Sequence, residues 1–180
     1  IRGDYEMEAT ETFAVRLSPD IEFFPPVAVD YAHDPSEQFT SVAFAPAIQV
    51  GESTLLVSAY DENPLDPHGL VRVVTNLGNL SLTSLGAVRS PGDSLVSQAF
   101  AADMDGDGVG DVLVASNQGL VVYRGLTGQA SSFDAGTLLA PLGAYSVNDF
   151  AVADANKDGL PDLALADADA KLAYFQNTSS

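Results

Sequence analysis

Two short stretches of the chain carry oxygen-bearing side chains at the same spacing. In the first, Asp103, Asp105 and Asp107 alternate, Gly108 follows, and Asp111 closes the stretch. In the second, Asp154, Asn156 and Asp158 alternate, followed by Gly159 and Asp162. Such a set suits a hard cation. Calcium takes six to eight oxygen ligands at about 2.3–2.6 Å in a flexible cage, whereas magnesium sheds its water reluctantly for an all-protein site. Alternating carboxylates on a tightly curled loop can turn inward together, and glycine at position 6 permits the sharp turn. The backbone carbonyls of Val109 and Leu160, at position 7, are candidates to complete the two sets together with water. Neither loop is an EF-hand, because position 12 holds Val114 or Leu165 where that motif needs a bidentate Glu. Two carboxylates about 4 Å apart at an effective dielectric near 20 repel by roughly 4 kcal/mol. Four in one loop therefore call for a cation, and two calcium ions are the expected cofactors. Acidic turns use the same residue types, but two copies at one spacing, each leading into an apolar strand, favour the metal.

The elements that position these loops read as strands. Short runs rich in Val, Leu, Ala and Tyr alternate with Gly, Pro, Asn and Asp clusters, which predicts an all-β chain. Repetition is the clearer signal. Asp111–Ala115 aligns with Asp162–Ala166, and Phe100-Ala101 and Phe150-Ala151 stand upstream of the two loops. A second strand ending in an aromatic follows each, Leu120–Tyr123 and Leu172–Phe175. An eroded copy lies earlier, with Thr54–Ser58 and Leu70–Thr75 as paired strands and a Pro-rich loop, Asp61–Gly69, between them. There Pro46, Ile48, Val50 and Thr54 stand where the ligands would be, so this copy keeps the strand layout without the ion. Ahead of it, residues 1–20 read as two short strands of separate origin, and residues 21–41, with Pro25-Pro26, as a linker. The expected division is 1–20, 21–41, a degenerate repeat at 42–96, and calcium-binding repeats at 97–147 and 148–180, the last truncated.

Composition narrows the function classes. Acidic residues outnumber basic ones 25 to 7, for a formal net charge of −18. Such a surface repels phosphate backbones and anionic lipid heads, so neither nucleic acid nor a membrane surface is an expected partner. No apolar run approaches the ~18 residues of a membrane span. Cysteine is absent, which excludes disulfides, zinc-thiolate sites and thiol catalysis. The chain begins at Ile1 rather than Met, as a processed mature protein or a piece of a longer one would.

The stretch from Phe100 to Gly119 and that from Val152 to Ala166 resemble FG-GAP/VCBS repeats, and the resemblance covers about residues 42–180. It implies β-propeller blades, two intact and one degenerate, with calcium in the loop between the first two strands of each intact blade. The implied metal residues are Asp103, Asp105, Asp107 and Asp111 for one ion, and Asp154, Asn156, Asp158 and Asp162 for the other. Propellers have at least four blades, so three imply an incomplete propeller. Residues 1–20, with Ile1-Arg2-Gly3-Asp4 and Val15-Arg16-Leu17-Ser18, more weakly resemble the closing strands of a Calx-beta domain. Orphan strands of that kind would pair outside the chain.

Other motifs carry less. Gly92-Asp93-Ser94-Leu95 spells a lipase signature, but both histidines, His33 and His68, lie upstream of the serine, and a turn explains it better. Gly106, Gly108 and Gly110 imitate a phosphate loop, yet the interleaved aspartates would repel phosphate. Arg2-Gly3-Asp4 is an adhesion tripeptide of a length that chance supplies. His68 reads as a solvated loop histidine rather than a ligand. Asn79 and Asn177 stand in glycosylation sequons. No nucleophile–base pair is evident, and the chain is not expected to be an enzyme. The expected function is a calcium-stabilised, secreted structural or adhesive module of a larger surface protein or self-assembling fibre. Its expected partners are other copies or neighbouring domains met through strand pairing. The alternatives are a glycan- or protein-binding propeller module, or a non-catalytic portion of a larger secreted enzyme.

Overall fold

A computed structural model describes residues 16–18, 21–22, 34–45, 54–76, 82–126, 132–139, 147–167 and 171–179. The chain divides into two units, Ile1–Asp30 and Tyr31–Ser180. In the first, β1 (Arg16–Ser18) pairs antiparallel with β2 (Ile21–Glu22). The other residues that carry the Calx-beta resemblance lie outside the described ones.

Among its described residues the second unit holds three antiparallel sheets in chain order. Sheet I holds β3 (Glu37–Ala45), β4 (Thr54–Asp61), β5 (His68–Asn76) and β6 (Leu82–Arg89) as a meander. Sheet II holds β7 (Val96–Ala102), β8 (Asp111–Ser116), β9 (Gly119–Tyr123) and the short β10 (Thr137–Leu138). Sheet III holds β11 (Val147–Ala153), β12 (Asp162–Asp167) and β13 (Leu172–Phe175). The fold is all-β, laid out as propeller-like blades that do not close into a barrel. Among the described residues no α-helix occurs, and the lipase-like stretch forms a 3₁₀ turn, Pro91–Asp93, with Gly92 at φ 63°.

The three sheets share one plan. Each first strand ends on an alanine opposite the first residue of its second strand: Ala45 faces Thr54, Ala102 faces Asp111, and Ala153 faces Asp162. Each first strand also bulges at the same place, at Thr40, Ser97 and Asn148. The two strands expected of the eroded copy do pair: Thr54 faces Thr75, and the register runs without a break to Ser58 facing Val71.

Three expectations change. Sheet I starts at Glu37, and β2 at Ile21, so strands occupy part of the segment read as a linker; Pro25-Pro26 lies outside the described residues. His68 is the first residue of β5 rather than a loop residue. Phe100 and Phe150 are not equivalent positions: Phe100 faces Leu113, whereas Phe150 faces Leu165, one residue further along the shared register. Side chains alternate with period two, so that single step puts the two rings on opposite faces of their sheets. They meet edge to face, centroids 6.5 Å apart, between sheets II and III.

The sheets stack face to face, with sheet II in the middle. Val112 and Val114 of β8 enter a core shared with Leu56, Val71 and Val73 of sheet I. Leu113 and Ala115, pointing the other way, enter a core shared with Phe150, Leu163 and Leu165 of sheet III. A strand buried on both faces reads as a continuous apolar run, and every residue of β8 is buried. Burying each of its Val and Leu side chains stabilises the fold by roughly 1.5–3 kcal/mol. Polar ties fix the register between sheets. The Gln98 amide donates to the Phe150 carbonyl at 2.9 Å and accepts from its N–H at 2.7 Å.

Candidate metal centre

The acidic loops occupy the same place in sheets II and III, joining the first strand to the second. Their local folding follows from the residue types, since Asp and Asn side chains accept from backbone N–H groups two residues on. Asp107 accepts from Val109 N–H at 2.8 Å and Asp158 from Leu160 N–H at 3.0 Å. Asn156 accepts from Asp158 N–H at 2.8 Å, as Asp105 does more loosely from Asp107 at 3.4 Å. The first aspartate of each loop reaches across to position 6: Asp103 to Gly108 at 2.9 Å, Asp154 to Gly159 at 3.0 Å. Those glycines sit at φ 84° and 96°, in the left-handed region. Position 4 is left-handed too, and there Gly106 (φ 77°) has Lys157 (φ 64°) as its counterpart.

The closing aspartates are buried and anchor each loop to the sheet. Asp111 accepts from Met104 N–H at 2.8 Å and Gly125 N–H at 2.9 Å. Asp162 accepts from Ala155 and Asn177 N–H groups at 3.1 and 2.9 Å, and from the Tyr174 hydroxyl at 2.8 Å. Gly125 and Asn177 each stand two residues beyond the aromatic that ends the following strand, Tyr123 or Phe175. A side chain at Gly125 would run into Gly110 and Val109, so only glycine brings its N–H that close.

In the first loop the structure brings Asp103, Asp105 and Asp111 together, one oxygen of each within 4.8 Å of the others. Asp107 does not join that set and points its Oδ1 at the Val109 amide. Among the described residues Asp154, Asp158 and Asp162 form no such cluster. Asn156 donates from Nδ2 to Asp158 at 2.8 Å, and the Tyr174 hydroxyl sits on Asp162, which occupies the oxygens that would converge. Val109 and Leu160 stand at position 7 and contribute amide N–H groups to the turns.

Electrostatics separates the two closing aspartates. Burial pushes the Asp111 carboxyl above its ordinary range, the Gly125 and Met104 amides oppose this, and the charges of Asp105 and Asp103 push it up further. Asp162 is held below that range, first by the Asn177 N–H and then by the Tyr174 hydroxyl. Arg124, largely exposed, comes within 3.9 Å of Asp105.

The donor set fits a hard cation. Carboxylate oxygens carry two lone pairs each, so an oxygen that accepts one N–H keeps a free direction. Asp103, Asp105 and Asp111 would hold an ion in the first loop; Asp154, Asn156, Asp158 and Asp162 stand at the corresponding positions of the second, where the three carboxylates do not converge in the same way. Sequence reasoning missed Tyr174, Gly125 and Asn177. Asn177 also donates from Nδ2 to the carbonyls of Met104 and Pro161, at 2.7 and 3.0 Å, tying one loop to the other. A glycan on that nitrogen would break the tie. The signal available in sequence was the shared offset from the aromatic, which no local motif marks. Asn79, the other sequon, lies outside the described residues.

Residues 103–165 match the FG-GAP-like repeat family. The match takes in both acidic loops and most of β12. No match to the chain was found among curated proteins.

Proposed function

We propose that the chain is a non-enzymatic, calcium-stabilised structural or adhesive module that works outside the cell. The observation that carries this reading is the convergence of Asp103, Asp105 and Asp111 within 4.8 Å, one of them buried. Three carboxylates so close repel by several kcal/mol in the absence of a cation. The second loop repeats the same turn hydrogen bonds with a neutral amide at position 3, which lowers the charge an ion there must offset. Partly exposed loops of this kind suit the ~10⁻⁴–10⁻³ M affinities of extracellular calcium modules. The acidic, cysteine-free composition agrees, because a bound ion would then take the place of disulfides as a staple.

Thermal melting with calcium and with chelator tests the reading. At calcium one hundred times its Kd, each site adds ~2.7 kcal/mol, a large part of a typical ~5–15 kcal/mol stability. Asp105→Ala is expected to remove about half of the calcium-dependent gain and to change melting little in chelator. Equal losses in both conditions would remove the ligand assignment, and no calcium shift in the native chain would remove the function.

A cleft of about 420 Å³ beside the loops, lined by Met104, Arg124, Leu139, Pro161, Phe175 and Asn177 among others, supports a second reading as a ligand-binding module. A glycan array without hits would count against it.

A further inference from the structure

We propose that Asn177 is a positioning residue that couples the two acidic loops, so that calcium held by the first raises the affinity of the second; the proposal rests on the calcium reading of both loops. A side-chain amide has two N–H donors, and both of those on Asn177 are aimed at the loops. Nδ2 donates to the Met104 carbonyl at 2.7 Å and to the Pro161 carbonyl at 3.0 Å. Met104 is position 2 of the first loop, between Asp103 and Asp105, and its own N–H donates to Asp111 at 2.8 Å. It therefore stands among all three carboxylates that converge there. Pro161 is position 8 of the second loop, next to Asp162, whose Oδ1 accepts from the Asn177 backbone N–H at 2.9 Å. The side-chain oxygen of Asn177 is held too, accepting from the N–H and the hydroxyl of Ser179 at 3.0 and 2.7 Å. An amide engaged at both ends has one orientation, and that orientation joins the loops.

This tie goes beyond the plan that the repeats share. Gly125 is the counterpart of Asn177 and gives Asp111 the same kind of backbone hydrogen bond, at 2.9 Å, but it has no side chain with which to reach a neighbouring loop. A second contact joins the same two loops. Leu160 Cδ2, from the second, lies 3.4 Å from the place a Cβ would take on Gly106 of the first.

The difference between the loops sets the direction of the effect. In the first, Asp103, Asp105 and Asp111 already converge. In the second, Asn156 Nδ2 sits on Asp158 and the Tyr174 hydroxyl on Asp162, so a cation there must first reorganise the loop. A cation in the first loop fixes the Met104 peptide, and through it Asn177 and the segment Pro161-Asp162. The second loop then has less left to order. Coupling of this kind is reciprocal and typically amounts to about 5–150-fold in affinity.

Calcium titration of the full chain, followed by NMR at the Gly108 and Gly159 amides, tests the proposal. Each of these amides donates to the first aspartate of its own loop, Asp103 or Asp154, and so reports that loop alone. Asp105→Ala is expected to abolish the Gly108 response and to raise the calcium midpoint at Gly159 by about fivefold or more. In a chain that also carries Asn177→Ala, the same substitution should leave the Gly159 midpoint in place. The lost charge of Asp105 acts through space in both backgrounds, so it cancels from the comparison. A midpoint at Gly159 that ignores Asp105→Ala would overturn the coupling, and one that shifts equally in both backgrounds would overturn the role of Asn177. A second measurement needs no change at Asn177: in the native chain its side-chain amide protons should move with the Gly108 midpoint. Protons that stay still, or that follow Gly159 alone, would also overturn the proposal. If neither glycine responds to calcium, the calcium reading fails and the coupling with it, whereas two independent responses sink the coupling alone.

Discussion

Asp111 and Asp162 hold the same place in their loops, yet their surroundings push their carboxyls in opposite directions. Asp111 is buried next to Asp105 and Asp103, which disfavours its charge; Asp162 receives an amide and a phenolic hydroxyl, which favours it. The consequences for stability have opposite signs. The raised carboxyl of Asp111 contributes stability fully present below the unfolded value of ~3.9 and lost as pH rises through its folded value. The depressed carboxyl of Asp162 contributes stability present above ~3.9 and lost as pH falls through its folded value. A carboxyl NMR titration of the calcium-free chain should therefore place the Asp111 midpoint above ~3.9 and the Asp162 midpoint below it. Tyr174→Phe should raise the second midpoint and leave the first in place. The reverse order would mean that these hydrogen bonds do not form in solution.

Among the elements, the loops carry the strain. Lys157 adopts a left-handed backbone that its counterpart Gly106 adopts freely, and an L side chain there gives up roughly 1–2 kcal/mol. Lys157→Gly removes that penalty but adds freedom to the unfolded chain, so a net gain of up to about 1 kcal/mol is expected. Gly159→Ala is expected to do the opposite, lowering stability by about 1 kcal/mol or more. Since a Cβ at Gly159 meets nothing within 4 Å, the loss would come from the backbone alone. Chemical denaturation of both variants checks this pair, and a neutral Gly159→Ala would show the loop to be more relaxed than its φ of 96° implies. The left-handed residue at position 6 was legible from its glycine. The one at position 4 was hidden, because lysine gives no sign of it.

At the scale of the molecule, stability is graded across the stack. Sheet II is covered on both faces and sheet III on one, so their amides should open at different free energies. Hydrogen exchange on dilute protein is expected to find β8 and β9 slowest and Leu172–Phe175 of β13 faster. Equal protection of β13 would mean that its outer face is already covered in the monomer.

The sequence by itself determined the all-β class, the two acidic loops and the spacing of their donors, because each depends on residues close in the chain. Alternation sets a strand, an Asx turn closes over two residues, and a repeated spacing needs no knowledge of neighbours. Only the tertiary structure decided which donors converge. Asp103, Asp105 and Asp111 meet while Asp107 turns to Val109, and that depends on how Met104 and Gly125 hold Asp111 against the sheet. It also decided that Phe100 and Phe150 face each other across two sheets rather than repeat one position, since the register that sets the face of a strand is fixed by its partner. The exposure of Leu172 belongs to the same class: nothing in its own segment distinguishes it from its buried counterparts Val71 and Leu120, and only stacking order leaves it uncovered.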